Sequence, residues 1–330
     1  MCGFSVYSGG DKMLRLSVVS EFQKIKYRGP DNTVAKDFGN KGWMGFHRLK
    51  IIDTSDDGNQ PLIHGGLHLV ANGEVYNYMQ LKEQYEESYD FQSESDCEVI
   101  IPMFRELGME ETARRLDAEF VCVLYDADLD KYYAARDPVG IRPMFYGYAP
   151  DGKIMFASEM KALNVICDEV KPFPPGHIYD GENFVCYRDI AEVEAYTEDE
   201  TEEVCVKLTD LLTEGTLKRL HADVPVGFLC SGGLDSSLVC AIAARAMDKP
   251  IRTFAVGIDI DAIDTKYARI VADYLGADHT EVLFTKQDIF DTLSTLIYNI
   301  ETYDITTIRA SMGMFMVSKW VSETTDLKVL

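Results

Sequence analysis

The chain has 330 residues, 46% of them hydrophobic, and a formal net charge of −23 at pH 7. That length favours two domains over one core, and so acidic a surface repels nucleic-acid phosphates and anionic lipid headgroups, so neither is an expected partner. No run approaches the roughly 20 apolar residues that a bilayer span needs, and MCGFSVYSGGDK lacks the basic-then-apolar layout of a secretory signal, which makes the cytoplasm the expected compartment.

The first half is rich in short alternating or apolar runs: CGFSVYSG, GWMGFHRLKII, LHLVANGEVYN, EFVCVLYDAD, KYYAARD, PMFYGYAPDGKIMFAS and HIYDGENFVCY. Turn signals at Asp57-Gly58, Asp151-Gly152 and Gly181-Glu182-Asn183 predict hairpins between them. The clearest helices are DKMLRLSVVSEFQKIK and DCEVIIPMFRELG. These elements predict an α+β domain of packed, largely antiparallel sheets over residues 2–190.

The segment DIAEVEAYTEDETEE, residues 189–203, is acidic and without apolar periodicity, as a solvated linker would be. Beyond it, over 204–330, the spacing predicts helix 203–220, strand 225–230, helix 236–246, strand IRTFAVGI, helix KYARIVADYLG, strand HTEVLF, two more helices and a final strand DLKVL. Alternation of this kind implies a parallel sheet with ligands at the carboxyl ends of its strands. The eight cysteines show no C-x-x-C spacing, and His64 and His68 bracket two glycines, so buried thiols are expected rather than a zinc site.

Between strand 225–230 and helix 236–246 lies SGGLDSS, residues 231–237. Two glycines let backbone N–H groups approach a ligand, and Ser231, Ser236 and Ser237 add hydroxyls beside a helix N-terminus, an environment suited to phosphate. The loop has neither the lysine of G-x-x-x-x-G-K-[ST] nor a G-x-G-x-x-G fingerprint. Asp235 would repel a bare pyrophosphate, and a magnesium ion between them removes the conflict. The alternative is a plain strand-to-helix turn with a serine cap.

At the other end, Cys2 becomes the first residue once Met1 is removed, which sets a thiol beside a free α-amine that can act as its base. A cysteine at position 2 is weak evidence alone, and Asn72-Gly73 in NGEVYN reads by itself as a hairpin turn.

Taken together these stretches resemble known families. SGGLDSS resembles the loop of PP-loop ATP pyrophosphatases, which cleave ATP between its α and β phosphates to adenylate a substrate. FAVG at 254–257 and ETYDITTIRAS at 301–311 narrow the likeness to the glutamine-dependent asparagine synthetase family. MCGF, YRGPD at 27–31, HRLKIID at 47–53, QPL at 60–62, NGEVYN at 72–77, SDCEV at 95–99 and RDPVGIRPMFY at 136–146 resemble class II glutamine amidotransferases, and the likeness extends through SEMKAL and FPPGH.

The resemblance implies a four-layer αββα N-terminal nucleophile domain followed by a partial α/β parallel-sheet domain of the PP-loop, adenine nucleotide α-hydrolase-like type. It implies that Cys2 attacks the glutamine carboxamide, that Asn72 and Gly73 form the oxyanion hole, and that Arg48 pairs with the substrate α-carboxylate. Glu74 and Asp96 would receive its α-ammonium, and Ile51 and Ile52 would lend backbone contacts. Ser231, Gly232, Gly233 and Ser236 would cradle the pyrophosphate of ATP, Asp235 would hold its Mg2+, and Leu229 and Val256 would lie against the adenosine.

The activity implied is ATP-dependent: ammonia from glutamine is transferred to a β-aspartyl-AMP made from aspartate, giving asparagine. The partners are therefore the small molecules glutamine, aspartate and ATP, with a homodimer among the assemblies to expect. Tyr27 departs from the family, which commonly has histidine there, and cannot carry positive charge at neutral pH. In the resembled family the strand matching DLKVL runs into a Ser-Gly-Glu-Gly-Ser-Asp-Glu loop with a catalytic glutamate and a second magnesium-binding aspartate, and the second domain is expected to be incomplete without it. The alternative reading is a glutaminase-only chain, or a module that a partner completes.

Overall fold

The computed structural model describes residues 1–193, 195–258 and 263–330, so residue 194 of the acidic segment lies outside the described residues. The chain divides into two compact units, Met1–Tyr196 and Thr197–Leu330.

The first unit opens with strand β1 (Gly3–Tyr7), helix α1 (Lys12–Phe22), β2 (Asn32–Asp37), β3 (Trp43–Arg48), β4 (Leu62–His64), β5 (Leu67–Val75) and helix α2 (Tyr78–Tyr85). Helix α3 (Ile100–Arg115), β6 (Ala118–Asp126), β7 (Lys131–Arg136), β8 (Phe145–Tyr148), β9 (Ile154–Ala157), β10 (Val170–Pro172), β11 (His177–Tyr179) and β12 (Phe184–Cys186) follow. The strands form two antiparallel sheets of six, ordered β10-β8-β9-β1-β3-β2 and β12-β11-β7-β6-β5-β4.

Three apolar layers stack these sheets and helices as αββα. Successive strand residues face opposite sides, so a strand covered on both faces must be apolar throughout. In β6, Val121 and Val123 point to the layer between the sheets, where Phe4, Val6, Met44, Phe46 and Phe156 meet them. Cys122 and Leu124 point the other way, onto Leu81 of α2 and Ile100, Ile101 and Met103 of α3. Outside the first sheet, Tyr7, Trp43, Met155 and Ala157 pack under Val18 and Phe22 of α1. The unbroken apolar runs of the sequence are thus strands buried from both sides.

Turn chemistry held at Asp151-Gly152, between the paired β8 and β9, and at Gly181–Asn183, between β11 and β12. It failed at Asp57-Gly58, because β3 and β4 belong to different sheets and no hairpin joins them. The hairpin reading of Asn72-Gly73 is also overturned: both lie inside β5, opposite Val121 and Phe120 of β6. A β-carbon on Gly73 would stand 2.3 Å from the Glu119 carbonyl oxygen, so the glycine serves the close approach of two strands rather than a turn. Helix α2 is an element that the apolar pattern did not single out.

In the second unit, α4 (Thr201–Leu217) precedes β13 (Gly227–Leu229), α5 (Leu234–Ala246), β14 (Arg252–Ile258), α6 (Ile263–Leu275), β15 (Asp278–Phe284), α7 (Lys286–Ile300) and α8 (Ile305–Thr324). The strands are parallel in the order β13-β14-β15, and the stretch expected as a final strand contributes one parallel bridge, Val329 to Val226. Cys240 and Ala243 of α5 and Ala268 of α6 cover one face of the sheet, and Val317 and Val321 of α8 cover the other.

The layer between the two sheets carries the first unit's geometry. Phe156 is fully buried there and packs on Phe173 and Tyr179. Phe156→Ala is expected to lower unfolding free energy by about 3–5 kcal/mol, measured as a fall in the denaturant midpoint with an unchanged slope. A loss below about 1 kcal/mol would show that this layer is not the stabilising core.

Candidate functional site

Cys2 precedes the first paired residue of β1, Gly3, which faces His47 of β3. Three groups tether it. Its N–H donates to Asn72 Oδ1 at 3.0 Å, its Sγ accepts the Leu49 N–H at 3.3 Å, and its carbonyl accepts from Arg28 Nε at 2.8 Å.

Because Asn72 Oδ1 is turned to Cys2, its Nδ2 must face elsewhere, and this buried N–H2 has no hydrogen-bond partner among the described residues. Such a donor is costly to leave unsatisfied unless something else comes to it. It lines a cleft of about 450 Å³, open to solvent, together with Cys2, Arg48, Ile51, Ile52, Gly73, Glu74 and Asp96. All the residues expected to act on glutamine therefore share one cleft.

Each wall has a local cause. Gln60 mimics a neighbouring strand: its amide donates to the Ala71 carbonyl at 3.0 Å and accepts the Ala71 N–H at 2.6 Å, which holds β5 just before Asn72. The buried Arg48 guanidinium donates to the carbonyls of Ser55 at 2.7 Å and Ile52 at 3.3 Å, to Asn59 Oδ1 at 3.1 Å and to the Asp53 carbonyl. Gly58 packs directly on it, since a β-carbon there would lie 2.2 Å from Arg48 Nη2. Asp57-Gly58 thus belongs to a loop wrapped around an arginine.

Asp96 Oδ2 accepts the Val75 N–H at 2.7 Å, fastening the SDCEV turn to the end of β5. Next to it, the buried Glu98 accepts from the backbone of Gln92 and Ser93, each at 2.8 Å, and so shapes the loop that presents Asp96.

Burial and then the nearby Asp96 push the Glu74 carboxyl well above the usual carboxylate range, and burial raises Asp96 as well. The Cys2 thiol is also pushed up, chiefly by burial. The chain's α-amine, on Met1, is driven the opposite way, down to about 6, again mainly by burial. Both shifts share a first cause, since burial disfavours whichever form of a group is charged.

Sequence reasoning missed Leu49, Gln60 and Arg142, all of which line the cleft. Leu49 acts through its backbone, which no side-chain pattern reveals. Arg142 Nη2 pairs with Glu119 at 2.6 Å, and its loop is pinned by Asp137, whose Oδ1 accepts the N–H groups of Val139, Gly140 and Ile141. RDPVGIRPMFY held the signal for it.

In the second unit Leu229, Ser231, Gly232, Gly233, Asp235 and Ser236 gather at the β13-to-α5 turn, and Val256 lies on the adjacent β14. Leu229 and Val256 pack on one apolar cluster with Phe254 and Val282. Gly232 has φ 77° and no room for a side chain, because a β-carbon would stand 2.4 Å from the Tyr267 backbone. Gly233, the residue before α5, has φ −73°, and a β-carbon there would meet only Ser231 Oγ, at an ordinary contact distance of 3.4 Å. Only one of the two glycines is thus demanded by the fold. Asp235 sits in the first turn of α5, and the described residues hold no group of three or more His, Cys, Asp or Glu that could bind a metal by themselves.

Residues 1–178 match the glutamine amidotransferase domain family, and residues 207–330 match the family described as asparagine synthase. The chain belongs to the glutamine amidotransferase family. It is 38% identical, over its whole length and 65% of the relative's, to a probable asparagine synthetase [glutamine-hydrolyzing] of Acanthamoeba polyphaga mimivirus. It is 39% identical to asparagine synthetase [glutamine-hydrolyzing] 2 of Arabidopsis thaliana, over 97% of this chain and 57% of that one. A probable asparagine synthetase [glutamine-hydrolyzing] of Schizosaccharomyces pombe is also 39% identical, over 90% of this chain and 57% of its own. The chain thus spans between 57% and 65% of the length of these relatives. Among the described residues no helix is long and apolar enough to cross a membrane.

The contrast between the two glycines is measurable. Gly232→Ser is expected to lower stability by about 1–3 kcal/mol, from both the positive φ and the collision with Tyr267. Gly233→Ser should stay within about 0.5 kcal/mol of the parent, since serine suits a helix N-cap. Equal losses in thermal melts would contradict this account of the loop.

Proposed function

We propose that the chain hydrolyses glutamine at Cys2 and that its second unit binds ATP and aspartate for the synthesis of asparagine. The observation that carries the first part is the pairing of a tethered Cys2 with the buried Nδ2 of Asn72, which has no partner among the described residues, in one cleft with Arg48, Glu74 and Asp96. The match of residues 207–330 and the names of the relatives support the second.

With Met1 removed, the Cys2 α-amine takes the thiol proton as Sγ attacks the glutamine Cδ. Negative charge develops on the carboxamide oxygen, where Asn72 Nδ2 and the Gly73 N–H receive it. The same amine returns the proton to the leaving nitrogen, ammonia departs, and water releases glutamate from the thioester. Arg48 pairs with the α-carboxylate, Glu74 and Asp96 take the α-ammonium, and the backbones of Ile51 and Ile52 border the substrate.

In the second unit Ser231, Gly232, Gly233 and Ser236 hold the ATP phosphates, with Leu229 and Val256 against the adenosine. Asp235 fits a magnesium bound mainly through substrate phosphates, a habit of that ion when one carboxylate is at hand. The metal would offset charge on the pyrophosphate as it leaves. Ammonia then displaces AMP from the β-aspartyl adenylate, giving asparagine. We assign the two activities to residues 2–190 and 204–330, in a cytoplasmic enzyme.

Cys2→Ala is expected to abolish glutaminase activity with unchanged circular dichroism and ATP binding, whereas Asn72→Ala should reduce kcat by about 10²–10³. Retained turnover in Cys2→Ala would refute the nucleophile. ATP binding to the same variant, followed calorimetrically with magnesium, tests the second unit, and no binding at millimolar ATP would remove it from the reading.

A pH dependence follows from the raised Glu74 and Asp96. In the free protein this pair holds a proton above the ordinary carboxylate range, and an α-ammonium placed between two ionised groups requires that proton to leave. Between about pH 6 and 8, where one of the pair still holds a proton, affinity for glutamine should accordingly rise by up to about tenfold per pH unit, and it should level off once both groups are ionised in the free protein. Titration calorimetry on Cys2→Ala between about pH 5.5 and 8.5 isolates the effect from the thiol. Asp96→Asn should flatten the profile, and affinity that falls with pH would contradict the assignment.

A further inference from the structure

Cys2 is anchored from its carbonyl side by a buried ionic cluster to which the glutamine chemistry assigns no part. Arg28, whose Nε holds the Cys2 carbonyl at 2.8 Å, pairs through Nη1 with Glu159 Oε1 at 2.8 Å. The other oxygen, Glu159 Oε2, accepts from the Tyr27 hydroxyl at 2.5 Å and from Lys161 Nζ at 2.6 Å. Lys161 Nζ also donates to the Tyr27 oxygen at 2.9 Å and lies 5.3 Å from the centre of its ring. The side chains of Arg28, Glu159 and Lys161 are each less than 10% exposed.

We propose that Glu159 is a positioning residue for the nucleophile, acting through Arg28 on the Cys2 carbonyl, with Tyr27 and Lys161 locking its second oxygen. The proposal rests on the reading of Cys2 as the glutamine nucleophile. Glu159 stands just past β9, where Ser158 and Phe4 exchange hydrogen bonds at 3.0 Å and extend the pairing of β9 with β1. The carboxylate is therefore fixed to the same sheet whose first strand begins at Gly3.

Three donors on two oxygens leave it no free rotation, and the planar guanidinium of Arg28 passes that rigidity to the Cys2 carbonyl. The tether matters because a chain's first residue frays unless something holds it. Once Met1 is gone, Cys2 is that residue, and the contacts from Arg28, Asn72 and Leu49 define where its thiol sits.

The cluster also gives Tyr27 a physical role. A phenol can donate to Glu159 and accept from Lys161 at the same time, so the position needs no charge of its own. The positive charge beside the carboxylate resides on Lys161 and Arg28.

The test uses the full chain with Met1 removed, the Glu159→Gln and Tyr27→Phe variants, and Cys2→Ala as the reference for the chemistry. Glu159→Gln is expected to lower glutaminase kcat about 10²-fold with KM within about twofold, the pattern of a misplaced reacting group rather than lost binding. Alkylation of Cys2 by iodoacetamide, read by peptide mass, should slow in parallel, and Tyr27→Phe should act in the same direction by about tenfold. A lower melting temperature with unchanged kcat and unchanged alkylation would make the cluster purely structural and overturn the proposal.

If Glu159→Gln does not fold, Tyr27→Phe decides by the same readouts. Glutaminase activity surviving in Cys2→Ala would instead defeat the nucleophile reading. Alkylation of Cys2 still decides the positioning role in that case: slower in the variants supports it, equal rates overturn it.

Discussion

The hydrogen bond from the Cys2 N–H to Asn72 Oδ1 is the contact on which the candidate site turns, because it commits both ends of one amide. An asparagine amide presents an acceptor on one side and donors on the other. Once the acceptor is taken by the chain's beginning, the donor is forced into the cleft, buried and without a partner among the described residues. The arrangement needs Cys2, ahead of β1 in one sheet, to meet Asn72 in β5 of the other. The alternating apolar residues of β1, β5 and β6 bring those sheets together, so the chemistry inherits its geometry from the inter-sheet core.

Electrostatics in the cleft follow from the same burial. Glu74 and Asp96 are carboxyls brought together out of water, and both are raised as a result. In a protein of net charge −23 such a pair has little long-range help, so its ionised form waits for a cation at close range. Arg142, which pairs with Glu119, supplies part of it from within the fold. The α-ammonium of an amino acid supplies the rest under the proposed function. Burial acts in the opposite sense on the Met1 amine, because the charged form it disfavours is there the protonated one.

What was legible in the sequence depended on whether the signal was carried by side chains in register or by the path of the backbone. The two-layered burial of β5 and β6 is written in their apolar runs, and the alternation of strands and helices after residue 200 announced the parallel sheet β13-β14-β15. Cys2, Arg48, Asn72, Glu74 and Asp96 were gathered through the family resemblance of scattered motifs, and all five line one cleft. Leu49 could not, since its contribution is one backbone N–H. Asn72-Gly73 and Asp57-Gly58 carry turn chemistry yet form no hairpins. In the first, strand pairing against β6 won over the local preference, and in the second the loop is organised by Arg48 rather than by a partner strand. The Glu159 cluster was hidden because its members, 27–28 and 159–161, meet only through the pairing of β1 with β9.

The two candidate sites hold their polar groups in different states of readiness, and the difference bears on how each would meet its ligand. In the first unit the donor on Asn72 is buried and has no partner among the described residues, so under the proposed function a carboxamide oxygen would find it already aimed. In the loop at 231–237 the hydroxyls are exposed and spend their bonds on one another: Ser231 and Ser236 lie 3.1 Å apart, and Ser237 donates to the Gly233 carbonyl at 2.6 Å. Water can take over such exposed bonds at little net cost, so a phosphate arriving there exchanges partners rather than filling a void. At Gly233 a β-carbon would meet only Ser231 Oγ, in ordinary contact at 3.4 Å, while Gly232 is locked against Tyr267 and fixes the turn beneath it. One site is therefore set by packing before any ligand binds. The other fixes its backbone and leaves its hydroxyls to be reoriented.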